Sequence, residues 1–255
     1  MEKEYFFNGV TLLITHYNRS QSLEQLLKSF AGLHCRFEDI VVSDDGSKSE
    51  HIDYLHALQK QFDFRLITTP KNRGLGNNIN KGQDAVQTPL TLYVQEDFTP
   101  APIFPEKFRH ALRIIQSRQE IDMVRFYAYF EYPYLTNADN GFYDMAFKAW
   151  KPGYRKFYMY SDHPHLRRTS FFQKFGRYIE GQKGDFTEYS MMMSFLKKKG
   201  KAVFYKDFKG LFTQKNSEVE PSTMKRENWR QSENFFLANI RHLYRHLKFN
   251  FDYLT

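Results

Sequence analysis

The stretch LTLYVQEDFTP, residues 90–100, decides how the chain is laid out. Leu90, Leu92 and Val94 alternate with Thr91 and Tyr93, the period-2 pattern of a strand rich in β-branched and aromatic types, and Pro100 and Pro102 stop it from continuing. Gln95, Glu96 and Asp97 therefore fall at the carboxyl end of a buried strand. A lone acidic pair there also suits an ordinary polar turn, with Asp97 capping the next segment. The rest of the chain has to separate the two.

Working outward, three similar units precede this strand. VTLLIT at 10–15 is a buried strand, followed by His16, Tyr17, Asn18 and Arg19 and by a helix with Ser20 as its expected cap and Leu23, Leu26, Leu27 and Phe30 at helical spacing. Residues 39–43 form a second strand, Asp44, Asp45 and Gly46 a turn, and Ile52, Leu55 and Leu58 mark a helix. Residues 64–68 form the third strand, 69–76 a loop, and Leu75, Ile79 and Val86 the next helix. Strands alternating with helices predict an α/β fold, a mainly parallel sheet with helices on both faces. Its polar turns must gather along one edge, where open α/β sheets bind ligands.

Beyond Pro102 the pattern predicts a helix over 105–117 and a strand over 122–130, then loops and short strands of a second region to residue 160. His163 and His165 precede a short helix at 169–175; a helix follows over 186–199, with Thr187 and Glu188 at its start and three lysines at its end, as the helix dipole favours. Residues 201–205 make a last strand. The polar stretch 214–223 is expected to be a surface loop. A C-terminal helix carries Trp229, Phe236, Ile240, Leu243 and Leu247 on one stripe and Arg241, Arg245 and Lys248 on another. The apolar stripe is expected to dock on the domain, with a peripheral membrane contact as the alternative.

The 255 residues suffice for a large core, and the formal charge is +8. From Lys197 onward thirteen Lys and Arg face six Asp and Glu, so +7 of that excess is local. Such a patch suits anionic lipid, nucleic acid, a phosphate-bearing substrate or plain solvation. Cys35 is the only cysteine, which excludes an internal disulfide and a cysteine-rich zinc site and fits a reducing cytoplasm. No stretch has the length of a membrane span and the amino terminus lacks the form of a signal peptide, so a cytoplasmic or peripheral protein is expected. The 26 Phe and 17 Tyr suit a bulky core or a groove that stacks sugars and bases.

Taken in order, ITHYNRS (14–20), IVVSDDGS (40–47), NRGLGNNINKG (72–82) and VQEDFTP (94–100) resemble the family 2 nucleotide-sugar glycosyltransferases. The resemblance covers the first hundred residues well and extends more loosely to about Tyr205. It implies the Rossmann-like GT-A fold, with residues 1–100 as the donor half, 101–210 as the acceptor half and 211–255 as a C-terminal basic amphipathic extension. By the same resemblance Thr15, Tyr17 and Arg19, with Asp44 and Asp45, surround the base and ribose, while Asn72, Arg73 and Gly74 stand beside the diphosphate. A carboxylate can accept the ring N–H of uracil and a tyrosine face can stack on it, although Asp44 or Asp45 can equally form an Asx turn about Gly46.

Gln95, Glu96 and Asp97 match the family's Asp-x-Asp motif, which implies Mn²⁺ or Mg²⁺ on Asp97 with Gln95 and Glu96 beside the nucleotide; Gln95 replaces the first aspartate with a weaker ligand. The family's acidic pair falls on Glu188 and Tyr189, so Glu188 is the expected general base and Asp185 the second choice. His163 and His165 are candidates for the acceptor side. The expected activity is inverting transfer of a hexose or N-acetylhexosamine, UDP-linked, to a saccharide or lipid-linked saccharide. Two other readings stay open: a nucleotidyltransferase, disfavoured because residues 15–20 contain no glycine-rich loop, and a GT-A-like binding protein that has lost catalysis, for which Gln95 and Tyr189 speak. Nucleic acid is not the expected partner.

Overall fold

The computed structural model describes residues 3–215 and 235–255. Strand β1 (Tyr5–His16) is flanked by β2 (Cys35–Asp44) and β4 (Leu90–Gln95), with β3 (Arg65–Ile67) outside β2, and all of these pairs are parallel. Helices α1 (Ser20–Gly32), α2 (Ser49–Gln59) and α3 (Leu75–Asp84) supply the crossovers. The chain therefore builds outward from β1 to β3, then returns to lay β4 on the other side of β1. That reversal is a topological switch point, with its crevice between the carboxyl ends of β1 and β4.

Among the described residues the sheet continues with β9 (His165–Arg168), β6 (Met123–Arg125), β10 (Ala202–Tyr205), β8 (Phe142–Met145) and β7 (Leu135–Asp139), in the order β3-β2-β1-β4-β9-β6-β10-β8-β7. The strand β9 runs antiparallel to both its neighbours. A second, two-stranded sheet joins β5 (Phe98–Pro100) to β11 (Phe212–Gln214). Helix α4 (Phe104–Ser117) follows β5; α5 (Phe171–Phe175) and α6 (Gly184–Lys197) lie between β9 and β10; α7 (Phe235–Leu254) closes the chain.

Each face of the sheet is covered, as the continuous apolar runs of β1 and β4 require. Leu12, Ile14, Leu92 and Val94 join Leu23, Leu27, Phe104 and Phe108 in one layer, whereas Leu13 and Tyr93 point the other way, to Ile79, the methionines 191–193 and Phe195.

Several expectations need correction. Ser20 does not cap α1: it is the first helical residue and its Oγ meets His51 Nδ1 at 2.9 Å. The segment at His165 is a central strand, not an approach to a helix, because its charged member Arg167 is paired inside. Arg167 is fully buried, with Nε and Nη2 donating to Gln83 Oε1 at 3.1 and 2.7 Å and Nη1 donating to the Tyr178 hydroxyl at 3.2 Å. Strand β4 ends at Gln95, before either proline, in the turn at Glu96 and Asp97, and the chain becomes extended again at once as β5, where Pro100 sits in a two-stranded ribbon that spares its missing N–H.

The C-terminal helix is reversed relative to its expected orientation. Phe249 is buried against Tyr154, Phe157 and Tyr189, and Tyr253 packs on Phe147. The expected docking residues Ile240, Leu243 and Leu247 are more than half exposed instead. Trp229 lies outside the described residues, and so does the side chain of Phe236.

The contact of α3 with the sheet is close enough to be tested. A Cβ on Gly82 would lie 2.7 Å from Leu13 Cδ1 and 2.9 Å from Ser43 Cβ, whereas one on Gly32, at the end of α1, would meet nothing within 4 Å. Gly82→Ala is expected to destabilise the fold by about 1–3 kcal/mol through overpacking, and Gly32→Ala to be neutral or stabilising by up to about 1 kcal/mol. Thermal melts of the two variants check the contrast, at roughly 2–4 °C per kcal/mol for a chain of this size.

Candidate active site

Four polar turns meet at the switch point, and hydrogen bonds fasten them together. His16 Nδ1 lies 2.8 Å from Asp44 Oδ1, while the backbone N–H of Arg19 donates to His16 Nε2 at 3.2 Å, which fixes the proton on Nδ1. Asp44 also accepts from the backbone of Gly46 and Ser47, each at 3.0 Å, from the Ser47 hydroxyl, and from Thr68 Oγ1 at 2.8 Å. Burial pushes this carboxyl up, but the bonds from His16 and Ser47 outweigh it and hold Asp44 well below the usual carboxylate range. Asp44 is thus the centre of an Asx-type turn that joins the ends of β1, β2 and β3.

Asp45 faces the next loop. Its two oxygens accept from the N–H groups of Arg73 and Gly74 at 2.9 and 2.8 Å, at the entry to α3. Gly46 and Gly74 both have positive φ, +67° and +88°, and a Cβ on Gly46 would strike the Lys71 backbone at 2.4 Å. Only glycine lets the two turns approach this closely. Burial raises the Asp45 carboxyl against these donors, and burial lowers the neighbouring Lys81 ammonium to about 8. Arg73 is exposed and reaches Glu180 at 3.4 Å, and Asn72 is exposed beside it. At the first turn Tyr17 is half-buried, while Thr15 is turned inward, its hydroxyl 3.1 Å from that of Tyr93.

The fourth turn carries Gln95, Glu96 and Asp97. Arg19 is buried and sets its Nη1 3.2 Å from Asp97 Oδ2 and 3.7 Å from Glu96 Oε1. Gln214 Nε2 donates to the same Asp97 oxygen at 3.0 Å. The other oxygen, Asp97 Oδ1, is buried with no hydrogen-bond partner, an acceptor still to be satisfied. That arrangement fits a divalent ion of the Mg²⁺ or Mn²⁺ type, which takes one or two carboxylates and completes its shell with phosphate oxygens and water. Among the described residues no three His, Cys, Asp or Glu gather into a cage that would hold a metal by protein ligands alone.

Beside this edge lies a cavity of about 280 Å³ whose lining includes Arg125, Tyr129, Tyr158, His163, Glu188 and Tyr189, with the exposed Asp185 at its margin. Gln214 couples the two places, since its Oε1 accepts from the Tyr129 hydroxyl at 3.1 Å while its amide holds Asp97. Glu188 Oε1 accepts from the Asp162 N–H at 3.1 Å. Burial and the Asp162 charge both push the Glu188 carboxyl up; Asp162, also raised by burial, is held lower of the two by the Tyr160 and Tyr178 hydroxyls that donate to it. Buried Arg125 donates to Tyr158 O and Ser161 Oγ, each at 2.5 Å, under the same cavity.

The two histidines part company. His163 faces the cavity, and its ring is lowered to about 3 by burial and by Arg125. His165 is the first residue of β9, packed between Tyr93 and Tyr160 and outside the cavity lining, whereas His163 lies in the loop before the strand. Tyr189, at the second position of the acidic pair, donates its hydroxyl to Asp252 of α7. Sequence reasoning passed over His16, Arg125, Asp162 and Gln214. His16 had a visible signal, standing between two residues already chosen at a strand end, whereas the others depend on contacts between distant segments.

The chain matches the family model described as Glycosyl transferase family 2 over residues 11–177, well over half its length. Poly-beta-1,6-N-acetyl-D-glucosamine synthase of Staphylococcus aureus (strain COL) is 28% identical over 74 residues, 29% of this chain and 18% of that protein, and the Staphylococcus epidermidis enzyme matches to the same extent. In fold, the chain is similar to S. aureus TarS 1–349 in complex with UDP-GlcNAc, with a TM-score of 0.60 at 15% identity over 94% of this chain and 73% of that one. The UDP complex of the same protein gives a TM-score of 0.55 at 14% identity over 80% and 59%. With the βα units, the switch-point turns and the family match in agreement, the chain belongs to glycosyl transferase family 2.

Proposed function

We propose that this protein transfers a sugar with inversion from a nucleoside-diphosphate donor to a saccharide or lipid-linked saccharide acceptor. The observation that carries the reading is the convergence of the turns after β1 to β4 on one crevice, beside a cavity lined by a carboxyl group. A UDP-linked N-acetylhexosamine is the donor we favour, because a protein of similar fold holds UDP-GlcNAc and the sequence relatives are named for an N-acetylglucosamine polymer. Residues 1–100 form the donor half and 101–210 the acceptor half.

In this reading Tyr17 stacks on the base, Asp45 and the loop Asn72–Gly74 adjoin the ribose and diphosphate, and Asp44 holds the turns in place. Thr15 supports that wall from below through Tyr93. A divalent ion bound at Asp97 supplies charge neutralisation of the departing diphosphate. Arg19, already paired with Glu96 and Asp97, keeps those carboxylates aimed at the crevice. Glu188 takes the proton of the acceptor hydroxyl as it attacks, and Asp162 and Arg125 set the protonation of Glu188. Aromatic walls at Tyr129, Tyr158 and Tyr189 suit the flat faces of a sugar ring.

A binding role without catalysis has its own support, namely Gln95 at the first motif position and Tyr189 tied to α7. Release of UDP from UDP-GlcNAc or a related UDP-sugar with Mn²⁺ and an oligosaccharide acceptor decides between them. Transfer predicts UDP and a glycosylated product, binding alone predicts calorimetric association without turnover, and released pyrophosphate would identify a nucleotidyltransferase. Asp97→Ala is expected to lower kcat/KM by at least about 10²-fold, as loss of several kcal/mol of leaving-group stabilisation implies.

The pH dependence follows from the raised carboxyl. A base must be ionised to act, so activity is lost as pH falls through its elevated pKa. The rising limb of the kcat/KM profile is expected above the ordinary carboxylate range, between about 6 and about 8. Glu188→Gln should abolish that limb and cost about 10²–10⁴-fold in kcat. A limb that persists in Glu188→Gln and disappears in Asp185→Asn would move the base to Asp185.

A further inference from the structure

The outer face of α7 carries Ile240, Leu243, Tyr244, Leu247, Phe251 and Leu254, each between 60% and 79% exposed. At 100° per residue these six lie within one stripe on the side of the helix opposite Phe249 and Tyr253, which pack on the domain. An apolar ridge of this length is unusual on a soluble surface and marks a contact.

Two further observations identify what the ridge contacts. Arg241 and Lys248 run along one flank of the stripe; Lys248 pairs with Asp252 of α7, whose carboxyl it and the Tyr189 hydroxyl hold low, and exposed Lys197, at the end of α6, adds a second positive charge beside that carboxyl. Along the other flank Asn250 Oδ1 accepts from Lys156 Nζ at 3.1 Å, and the same ammonium holds the carbonyls of Ala149 and Lys151. That bond fixes beside the ridge the loop that presents Trp150, 78% exposed between Lys148 and Lys151. An apolar ridge with a basic border and a protruding tryptophan is the chemistry of a helix lying in the headgroup region of an anionic bilayer. A second copy of the chain fits less well, because pairing two such ridges about a two-fold axis would set basic borders against each other. No described helix is long and apolar enough to cross a membrane, so the contact is with its surface.

We infer that the outer face of α7 and the Trp150 loop dock the protein on an anionic lipid surface. The inner face of α7 touches Tyr189 and Tyr158 through Phe249, and both tyrosines line the cavity that holds Glu188. Docking would therefore bring the acceptor cavity near the lipid headgroups, which selects a lipid-linked saccharide among the acceptors. This last step rests on the sugar-transfer reading, whereas docking itself does not.

Co-sedimentation with phosphatidylcholine vesicles, with and without phosphatidylglycerol, tests it on the full chain without donor or turnover. Binding is expected to the anionic vesicles, at least about 10-fold weaker to the neutral ones, given about 1 kcal/mol per basic residue near the surface. The variant Leu243→Ser, Leu247→Ser, Phe251→Ser should lose at least about 10²-fold in vesicle affinity and keep its melting temperature and UDP release with a soluble acceptor. In Trp229→Phe, which leaves Trp150 as the single tryptophan, the fluorescence should shift to the blue on adding anionic vesicles. No binding at low salt, or binding that the triple variant retains, overturns the inference. A dimer that the triple variant converts to monomer, without vesicle binding, would assign the ridge to a second copy. Either result leaves UDP release unaffected and the sugar-transfer reading standing.

Discussion

The buried carboxylate of Asp44 is the constraint on which the switch-point edge of the sheet depends. It gathers His16 from the end of β1, Gly46 and Ser47 from the turn after β2, and Thr68 from the end of β3. A buried charge left without partners costs several kcal/mol, so these donors and the carboxylate require one another. Asp45 extends the frame to the entry of α3, and Arg19 extends it to Asp97 across the switch point. The walls of the crevice are consequently held by the protein's own hydrogen bonds. At that edge Asp97 Oδ1 is buried without a hydrogen-bond partner, the acceptor the frame leaves unsatisfied.

The first hundred residues were legible because local signals agreed with one another. Apolar runs gave the strands, glycine and aspartate gave the turns, and chirality of the crossovers forced the turns onto one edge. What could not be read was the division of labour between Asp44 and Asp45. Both are ordinary turn residues in sequence, and only the hydrogen-bond count shows that Asp44 is fully engaged in joining strands. The strand β9 escaped detection for a related reason: Arg167 and His165 are polar types seldom buried, and their partners Gln83 and Tyr93 lie more than seventy positions away along the chain.

At the cavity, sequence spacing selected Glu188 but not the groups that govern it. Asp162 and Arg125 reach it from β9 and β6 territory, across 26 and 63 positions of sequence, and their effect on its protonation is a property of shared burial. The C-terminal helix shows a second limit. Periodicity reveals that a helix has two faces but does not say which one the domain will accept. Here aromatic stacking of Phe249 and Tyr253, with the hydrogen bond from Tyr189 to Asp252, wins over the larger aliphatic stripe, which is left to face outward.

Hydrogen exchange of backbone amides, followed by mass spectrometry with and without UDP and Mn²⁺, tests the central claim most directly because it reports the place of binding without requiring turnover. The nucleotide is predicted to slow exchange together in the segments 16–19, 44–47, 72–74 and 95–98, which the fold brings to one edge. Protection confined to other parts of the sheet, or no change in any of the four segments, would contradict the account.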